Sequence, residues 1–299
     1  MNRGKNNIMR YAFFIGCNIP ARVKQYESSS RAVLEKVGVD LVDFREFTCC
    51  GYPLRNVDRK AFVLSAAGNL AIAESEGLDL LVLCKCGFGT LKEAQYLMRE
   101  DNNLLQDINE LLSERGLKYQ GKSKVKHLLS VLYEDVGVNT LKSEVKIPYK
   151  NLNIATHYGC HALRPSEVTQ FDNPVAPVIF DELVRLTGAK SIEWPTKLEC
   201  CGAPLMGIND DLSANLARKK LNDGLKSGAD YLCTSCPYCQ IQFDTAQDMI
   251  VSKNNGENIL ASVLYPQLLG LSMGIDEETL GIGMNQLDIS AIKSYLSQE

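Results

Sequence analysis

No stretch of this chain comes near the eighteen or so consecutive apolar residues that a membrane-spanning helix needs, so none is expected. Charge of neither sign is in excess. The 32 basic and 36 acidic residues are interspersed and leave a net charge of −4, without the basic stripe that suits nucleic acid or an anionic lipid surface. Residues 1–9 lead into only a short apolar run, Tyr11 to Ile15, which lacks the hydrophobic region and cleavage site of a signal peptide. The expected location is therefore cytoplasmic and reducing, which argues against structural disulfides. A single tryptophan, ten prolines and no low-complexity tract leave little room for disorder beyond the first eight or so residues and the polar segment 252–258.

What the chain does have is eleven cysteines, and ten of them fall into two copies of one pattern. The first copy is Cys17, Cys49-Cys50-Gly51-Tyr52-Pro53, Cys84 and Cys86; the second is Cys160, Cys200-Cys201-Gly202-Ala203-Pro204, Cys236 and Cys239. The groups are separated by 31 then 33 residues in the first copy and by 39 then 34 in the second, so loops of similar length recur. Scattered core thiols, the commonest fate of free cysteine, would not repeat their spacing in this way.

Thiolates select iron–sulfur clusters, zinc or copper(I), and a polynuclear cluster needs four or more of them from distant segments. Adjacent side chains on an extended backbone diverge, so a Cys-Cys pair suits two irons of one cluster better than a single tetrahedral ion. The following glycine and proline allow a sharp, fixed turn around such a core. Zinc stays open as a reading of Cys236-Pro237-Tyr238-Cys239, since C-x-x-C is a common zinc knuckle, although five thiolates exceed what one structural zinc uses.

At 299 residues the chain is long enough for two domains. Apolar runs predict strands over 10–16, 38–43 and 78–83, each leading to a cysteine group, and helices over 27–37, 59–76, 90–99 and 104–114. The second half repeats the plan: strands over 153–159, 189–194 and 229–234, with helices over 178–187 and 212–227. Strands alternating with helices indicate an α/β fold with mainly parallel sheets, in which ligands gather at the carboxyl ends of the strands. The expectation is two homologous Cys-rich α/β lobes related by a pseudo-twofold axis, 1–148 and 149–299, the second with a C-terminal helical tail. The polar link 139–150 marks the boundary.

Several segments carry a family resemblance. The two Cys-Cys-Gly motifs, the opening Tyr11-Ala12-Phe13-Phe14-Ile15-Gly16-Cys17, His157-Tyr158-Gly159-Cys160-His161, and Cys236-Pro237-Tyr238-Cys239 followed by Gln242-Phe243-Asp244 resemble the B-type subunits of heterodisulfide reductase, from about Met9 to Leu269. The resemblance implies a five-cysteine cradle for a noncubane [4Fe-4S] cluster in each lobe. It further implies reduction of the coenzyme M–coenzyme B disulfide, with electrons arriving from the C-type iron–sulfur subunit and, behind it, the A-type flavin subunit of heterodisulfide reductase.

Carried over by position, Cys160, Cys200, Cys201, Cys236 and Cys239 fill all five places of the second cradle. In the first, Cys17, Cys49, Cys50 and Cys84 match, but the fifth place falls on Gly87, with Cys86 one residue earlier. Either Cys86 supplies the fifth thiolate or the first cluster is another species, such as a four-ligand cubane. Cys233 stands outside the pattern and reads as a core thiol. His157 and His161 flank Cys160 and are candidate catalytic residues, because imidazole titrates near neutral pH and thiol release consumes protons. Lys85 and Arg164 are weaker candidates for contacts to substrate anions.

Cleaving one S–S bond takes two electrons and two protons, and two one-electron centres in a duplicated fold match that stoichiometry. Alternatives are a related Cys-Cys-Gly protein serving a thiol:fumarate or succinate-type reductase or a sulfur-oxidising complex, or a non-catalytic electron-transfer or zinc-stabilised component. Nothing in the chain resembles a flavin or nicotinamide site, so its electrons are expected from partner subunits.

Overall fold

The computed structural model describes residues 9–253 and 260–297, with side chains left undescribed over 248–253. The polar segment expected to lack order lies mostly outside the described residues, as do the first eight. The first half contributes β1 (Met9–Phe14), α1 (Lys24–Lys36), β2 (Val39–Val42), α2 (Arg59–Ser75), β3 (Asp79–Val82), α3 (Lys85–Glu100) and β4 (Val125–His127). The second contributes β5 (Asn153–His157), α4 (Ile179–Leu186), β6 (Lys190–Ser191), α5 (Asp210–Lys226), β7 (Tyr231–Thr234), α6 (Pro237–Lys253), β8 (Ser262–Leu264) and α7 (Tyr265–Ser272).

Two four-stranded sheets result, ordered β2-β1-β3-β4 and β6-β5-β7-β8, with every pairing parallel. The order is the same in both, which is the structural form of the repeat seen in the cysteines. Parallel strands are covered on both faces and read as apolar runs. Phe13 and Phe14 of β1, Leu80 to Val82 of β3 and the whole of β7 are accordingly buried. Asp79, at the start of β3, accepts from the Lys124 amide, and Asp230, just before β7, accepts from that of Asn153, so both aspartates align neighbouring strands.

The outer strands β4 and β8 escape periodicity because each is three residues long. α3 begins at Lys85, five residues before the helix the pattern predicts. The segment expected to be a polar link contains a helix over Val138–Glu144. α7, in the C-terminal tail, packs on α1 of the first half.

The carboxyl ends of β1, β2 and β3 carry Cys17, the Cys49-Cys50 pair and Cys84; those of β5, β6 and β7 carry Cys160, the Cys200-Cys201 pair and Cys236. Tyr26 of α1 ties the two sides together. Its fully buried hydroxyl donates to the Leu83 carbonyl at 3.0 Å and shares a 2.8 Å hydrogen bond with the Ser235 hydroxyl. Leu83 and Ser235 immediately precede Cys84 and Cys236, so one phenol fixes the approach of both cysteines. Tyr26→Phe takes this partner from the buried Ser235 hydroxyl and one of two from the Leu83 carbonyl, which His127 also bonds, and is expected to lower the unfolding free energy by about 1–3 kcal/mol in denaturant titration; unchanged stability would show that the phenol is not a strut.

Candidate thiolate site

Each cysteine pair sits on a turn that only glycine permits. Gly51 and Gly202 have φ of +88° and +89°. A Cβ there would lie 2.7 Å from the Phe62 carbonyl oxygen at Gly51 and 2.6 Å from that of Ser213 at Gly202. The turn delivers the glycine N–H to the first sulfur of the pair, Gly51 to Cys49 at 3.5 Å and Gly202 to Cys200 at 3.4 Å. The first cysteine of each pair is half-exposed and the second buried, so the adjacent side chains do point different ways.

All five cysteines of the first copy, Cys17, Cys49, Cys50, Cys84 and Cys86, line one cavity of about 100 Å³, with Phe14, Tyr52, Gly87, Pro237 and Tyr238 around them. Gly87 lies in the first turn of α3, where its N–H reaches the Cys84 sulfur at 3.5 Å. Cys86 thus reaches the same cavity from a position one residue short of the family spacing. In the second copy Cys160 and Cys201 both act on the Cys200 sulfur, and Cys239 acts on Cys201 and Cys236. The two sets also meet: the Cys236 sulfur lies mutually within 4.8 Å of those of Cys84 and Cys86. Sequence spacing places Cys236 with the second copy alone; the structure sets it at the junction. Cys233 is in β7, fully buried and outside both groups, its thiol pushed up by burial.

Crowding decides which sulfurs ionise. Hydrogen bonds from Cys50 and the Gly51 amide hold Cys49 at about 6, against burial, while Cys50 is pushed far up. Cys160, Cys201 and the Gly202 amide together bring Cys200 to about 2, while Cys201 rises to about 12. Burial opposes ionisation of Cys236, but its contacts with Cys239, Cys84 and Cys86 bring it below the ordinary thiol range. So many sulfurs at contact distance ionise together only beside a soft cation.

An orphaned imidazole adds to this. His157, at the end of β5, is completely buried, lies with Cys201 and Cys239 within 4.8 Å, and among the described residues has no hydrogen-bond partner on either nitrogen. Burial, reinforced by Lys220 and Lys85, drives its basicity far down, so the ring is neutral. A buried polar group without a partner costs about 1–3 kcal/mol, and a sulfur-rich group between these thiolates would supply an acceptor. The donor set and this orphan fit an iron–sulfur group.

Of the two candidate histidines, only His161 stands between the sets. Its Nδ1 is 3.5 Å from the Cys86 sulfur and 3.4 Å from that of Cys160. Its ring packs edge-on to Tyr52 at 5.2 Å. Lys85, read as an exposed anion contact, is instead 1 % exposed, with Nζ donating to the His157 carbonyl at 3.4 Å and lying 4.9 Å above the Phe180 ring. Arg164 is exposed. Sequence reasoning missed Lys220, also 1 % exposed, which donates to the Thr196 carbonyl and lies 4.6 Å above the Trp194 ring. Its signal was a lysine inside the buried stripe Ser213, Ala217, Leu221 and Gly224 of α5.

Comparison with known proteins shows which family carries the repeated motif. The profile of the family described as "CCG: Cysteine-rich domain" matches residues 11–91 and 154–244. The chain is 33 % identical over 283 residues to the B-type subunit of the ferredoxin/F420H2-dependent CoB-CoM heterodisulfide reductase of Methanosarcina acetivorans, covering 93 % of this chain and 94 % of that protein. It is 31 % identical to the 8-methylmenaquinol:fumarate reductase membrane anchor subunit of Wolinella succinogenes, covering 94 % and 98 %. Among solved structures, a hypothetical protein from Helicobacter pylori shares the fold with a TM-score of 0.75 at 17 % identity, over 95 % of this chain and 53 % of that one. No helix among the described residues is long and apolar enough to cross a membrane.

The turn geometry sets a prediction. Gly51→Ala and Gly202→Ala each combine a left-handed φ with a backbone clash and are expected to lower the unfolding free energy by about 2–3 kcal/mol. Gly77→Ala, at φ +65° with open space around its Cβ, is expected to cost only about 1 kcal/mol. Equal effects at all three in thermal unfolding would show that the cysteine turns carry no special constraint.

Proposed function

This chain belongs to the family of heterodisulfide reductase B-type subunits, cysteine-rich CCG-domain proteins, and on that footing we propose that it is the iron–sulfur subunit of a complex that reduces, or forms, a heterodisulfide such as that of coenzyme M and coenzyme B. The convergence of all five first-copy cysteines on one cavity, adjoining the second set at Cys236, carries the reading. Cys17, Cys49, Cys50, Cys84 and Cys86 hold one [4Fe-4S] cluster; Cys160, Cys200, Cys201, Cys236 and Cys239 hold the other, of noncubane type. Cys86, rather than Gly87, is the fifth thiolate of the first site. Bound clusters supply one-electron storage at each site.

The chain's own residues do the rest. His161, placed between Cys86 and Cys160, holds a proton where a leaving thiolate needs one. Its neutral form is favoured by burial, which suits it to relay protons rather than keep them. His157, completely buried beside the Cys201 and Cys239 sulfurs, is the second candidate for holding a proton near the second site. Tyr52 and Tyr238, with ring centroids 6.4 Å apart, wall the first cavity beside His161 and limit what enters. Residues 1–148 and 149–299 act as two lobes in a cytoplasmic complex, with electrons delivered by partners of the C and A types of heterodisulfide reductase. A second reading, as part of a fumarate-reducing complex, is favoured by the nearly full-length likeness to the Wolinella succinogenes protein, and by the altered spacing at Cys84-x-Cys86.

Anaerobic assay of the mixed disulfide with a reduced viologen dye tests the proposal. Wild type is expected to turn over, and Cys201→Ala to lose at least about 100-fold in kcat/KM. Cys233→Ala, in the core of β7, is expected to stay within about twofold. Undiminished turnover by Cys201→Ala would remove the catalytic role, and turnover only with fumarate as terminal acceptor would favour the second reading.

A further inference from the structure

The two thiolate sites are repeated in backbone and sulfur but not in charge. At the second site Lys220 and Lys85 are buried at 1 % exposure each, and neither has a carboxylate within ion-pair distance among the described residues. Their contacts are a carbonyl and an aromatic face apiece, Thr196 and Trp194 for Lys220, His157 and Phe180 for Lys85. Glu199, the carboxylate that acts on Lys220 from a distance, is exposed and paired with Lys219. Burial pulls both amines below the ordinary lysine range, Lys220 to about 8, and what favours their charged forms is mostly sulfur: Cys201, Cys239 and Cys200 for Lys220, and Cys236, Cys239, Cys233 and Cys160 for Lys85.

The corresponding places at the first site are neutral. Asn69 follows Cys50 by the same nineteen residues as Lys220 follows Cys201, and it binds the loop backbone, donating to the Cys49 carbonyl and accepting from the Thr48 amide. Pro237 opens α6 as Lys85 opens α3, and the two cross over: Pro237 lines the first cavity while Lys85 enters the second site. At the strand ends, Phe14 closes β1 and lines the first cavity, where His157 closes β5 beside the second.

A buried ammonium without an anionic partner costs several kcal/mol. Two of them on one side of a duplicated fold are retained only where a negative group sits opposite, and a thiolate-bound cluster is such a group. Positive charge held in a low-dielectric site stabilises the more negative, reduced form of its neighbour. We propose that Lys220, reinforced by Lys85, is a built-in counter-charge of the second site, so that the centre held there is reduced before the centre at the first site. The inference rests on the iron–sulfur reading above. In the step concerned each centre takes up one electron from an external one-electron reductant, and no bond is made or broken. Lys220 and Lys85 act through the sulfur ligands and are positioning residues.

The test is a dithionite redox titration of the anaerobically purified, metal-loaded protein followed by paramagnetic resonance, with signals assigned in Cys49→Ser and Cys200→Ser variants. In the wild type the second-site centre is expected to be reduced first. Lys220→Met is expected to shift its oxidised-to-reduced ratio at least tenfold toward oxidised at fixed ambient potential, about 59 mV for one electron, leaving the first site unmoved. Lys220→Arg keeps the charge and the wild-type ratio, and Asn69→Lys shifts the first site tenfold toward reduced. Prior reduction of the first site in the wild type overturns the proposal without any variant, as does a loaded Lys220→Met protein with an unmoved ratio. Protein purified anaerobically without iron and sulfide would remove the proposed function and this inference with it, whereas a loaded protein with unmoved ratios removes the inference alone.

Discussion

The mutual repulsion of crowded sulfur is the constraint on which the rest of this structure depends. Ten cysteines are carried to the carboxyl ends of two parallel sheets, and three of their sulfurs, from Cys84, Cys86 and Cys236, lie within 4.8 Å of one another across the two halves. Thiols packed this closely share protons unevenly, so that Cys49 and Cys200 ionise easily while their neighbours Cys50 and Cys201 do not. A soft, multiply charged metal group would resolve the conflict by binding the sulfurs as thiolates. The devices around the site serve this packing: two left-handed glycines that free an amide for the first sulfur of each pair, and a buried phenol that fixes two strand ends at once.

Much of this was legible in the sequence, and for stated physical reasons. Buried parallel strands are nearly pure apolar runs, so β1, β3, β5 and β7 announced themselves, and the glycines Gly77 and Gly228 marked the stops before β3 and β7. The five first-copy cysteines that the spacing groups together line one cavity. What failed was short or cross-lobe. β4 and β8 are too brief for a period, and β4 includes His127, a buried histidine that bonds backbone groups at both nitrogens. α3 starts earlier than its pattern because Gly87 and Gly89 look like breakers. Gly89 is needed there, since a Cβ would come 2.7 Å from the His161 carbonyl of the other half. No single-sequence reading shows that Cys236 meets Cys84 and Cys86, or that Lys85 leaves its own lobe.

That exchange across the lobes is what makes the repeat functional rather than merely duplicated. Equivalent backbone positions are filled by Lys85 and Pro237, by Lys220 and Asn69, and by His157 and Phe14, so one geometry presents two electrostatic environments. His161 is placed between the two cysteine sets, touching one sulfur of each. Two similar but inequivalent cysteine sets with an imidazole between them are what the proposed chemistry, two electrons and two protons at one S–S bond, would use.

The claim beneath all of this is that both cysteine sets hold iron–sulfur clusters, and the metal content of the protein tests it most directly. Chemical analysis of anaerobically purified protein is predicted to give about eight iron and eight labile sulfide per chain, the content of two [4Fe-4S] clusters. About four of each, or zinc in place of iron, would contradict the account.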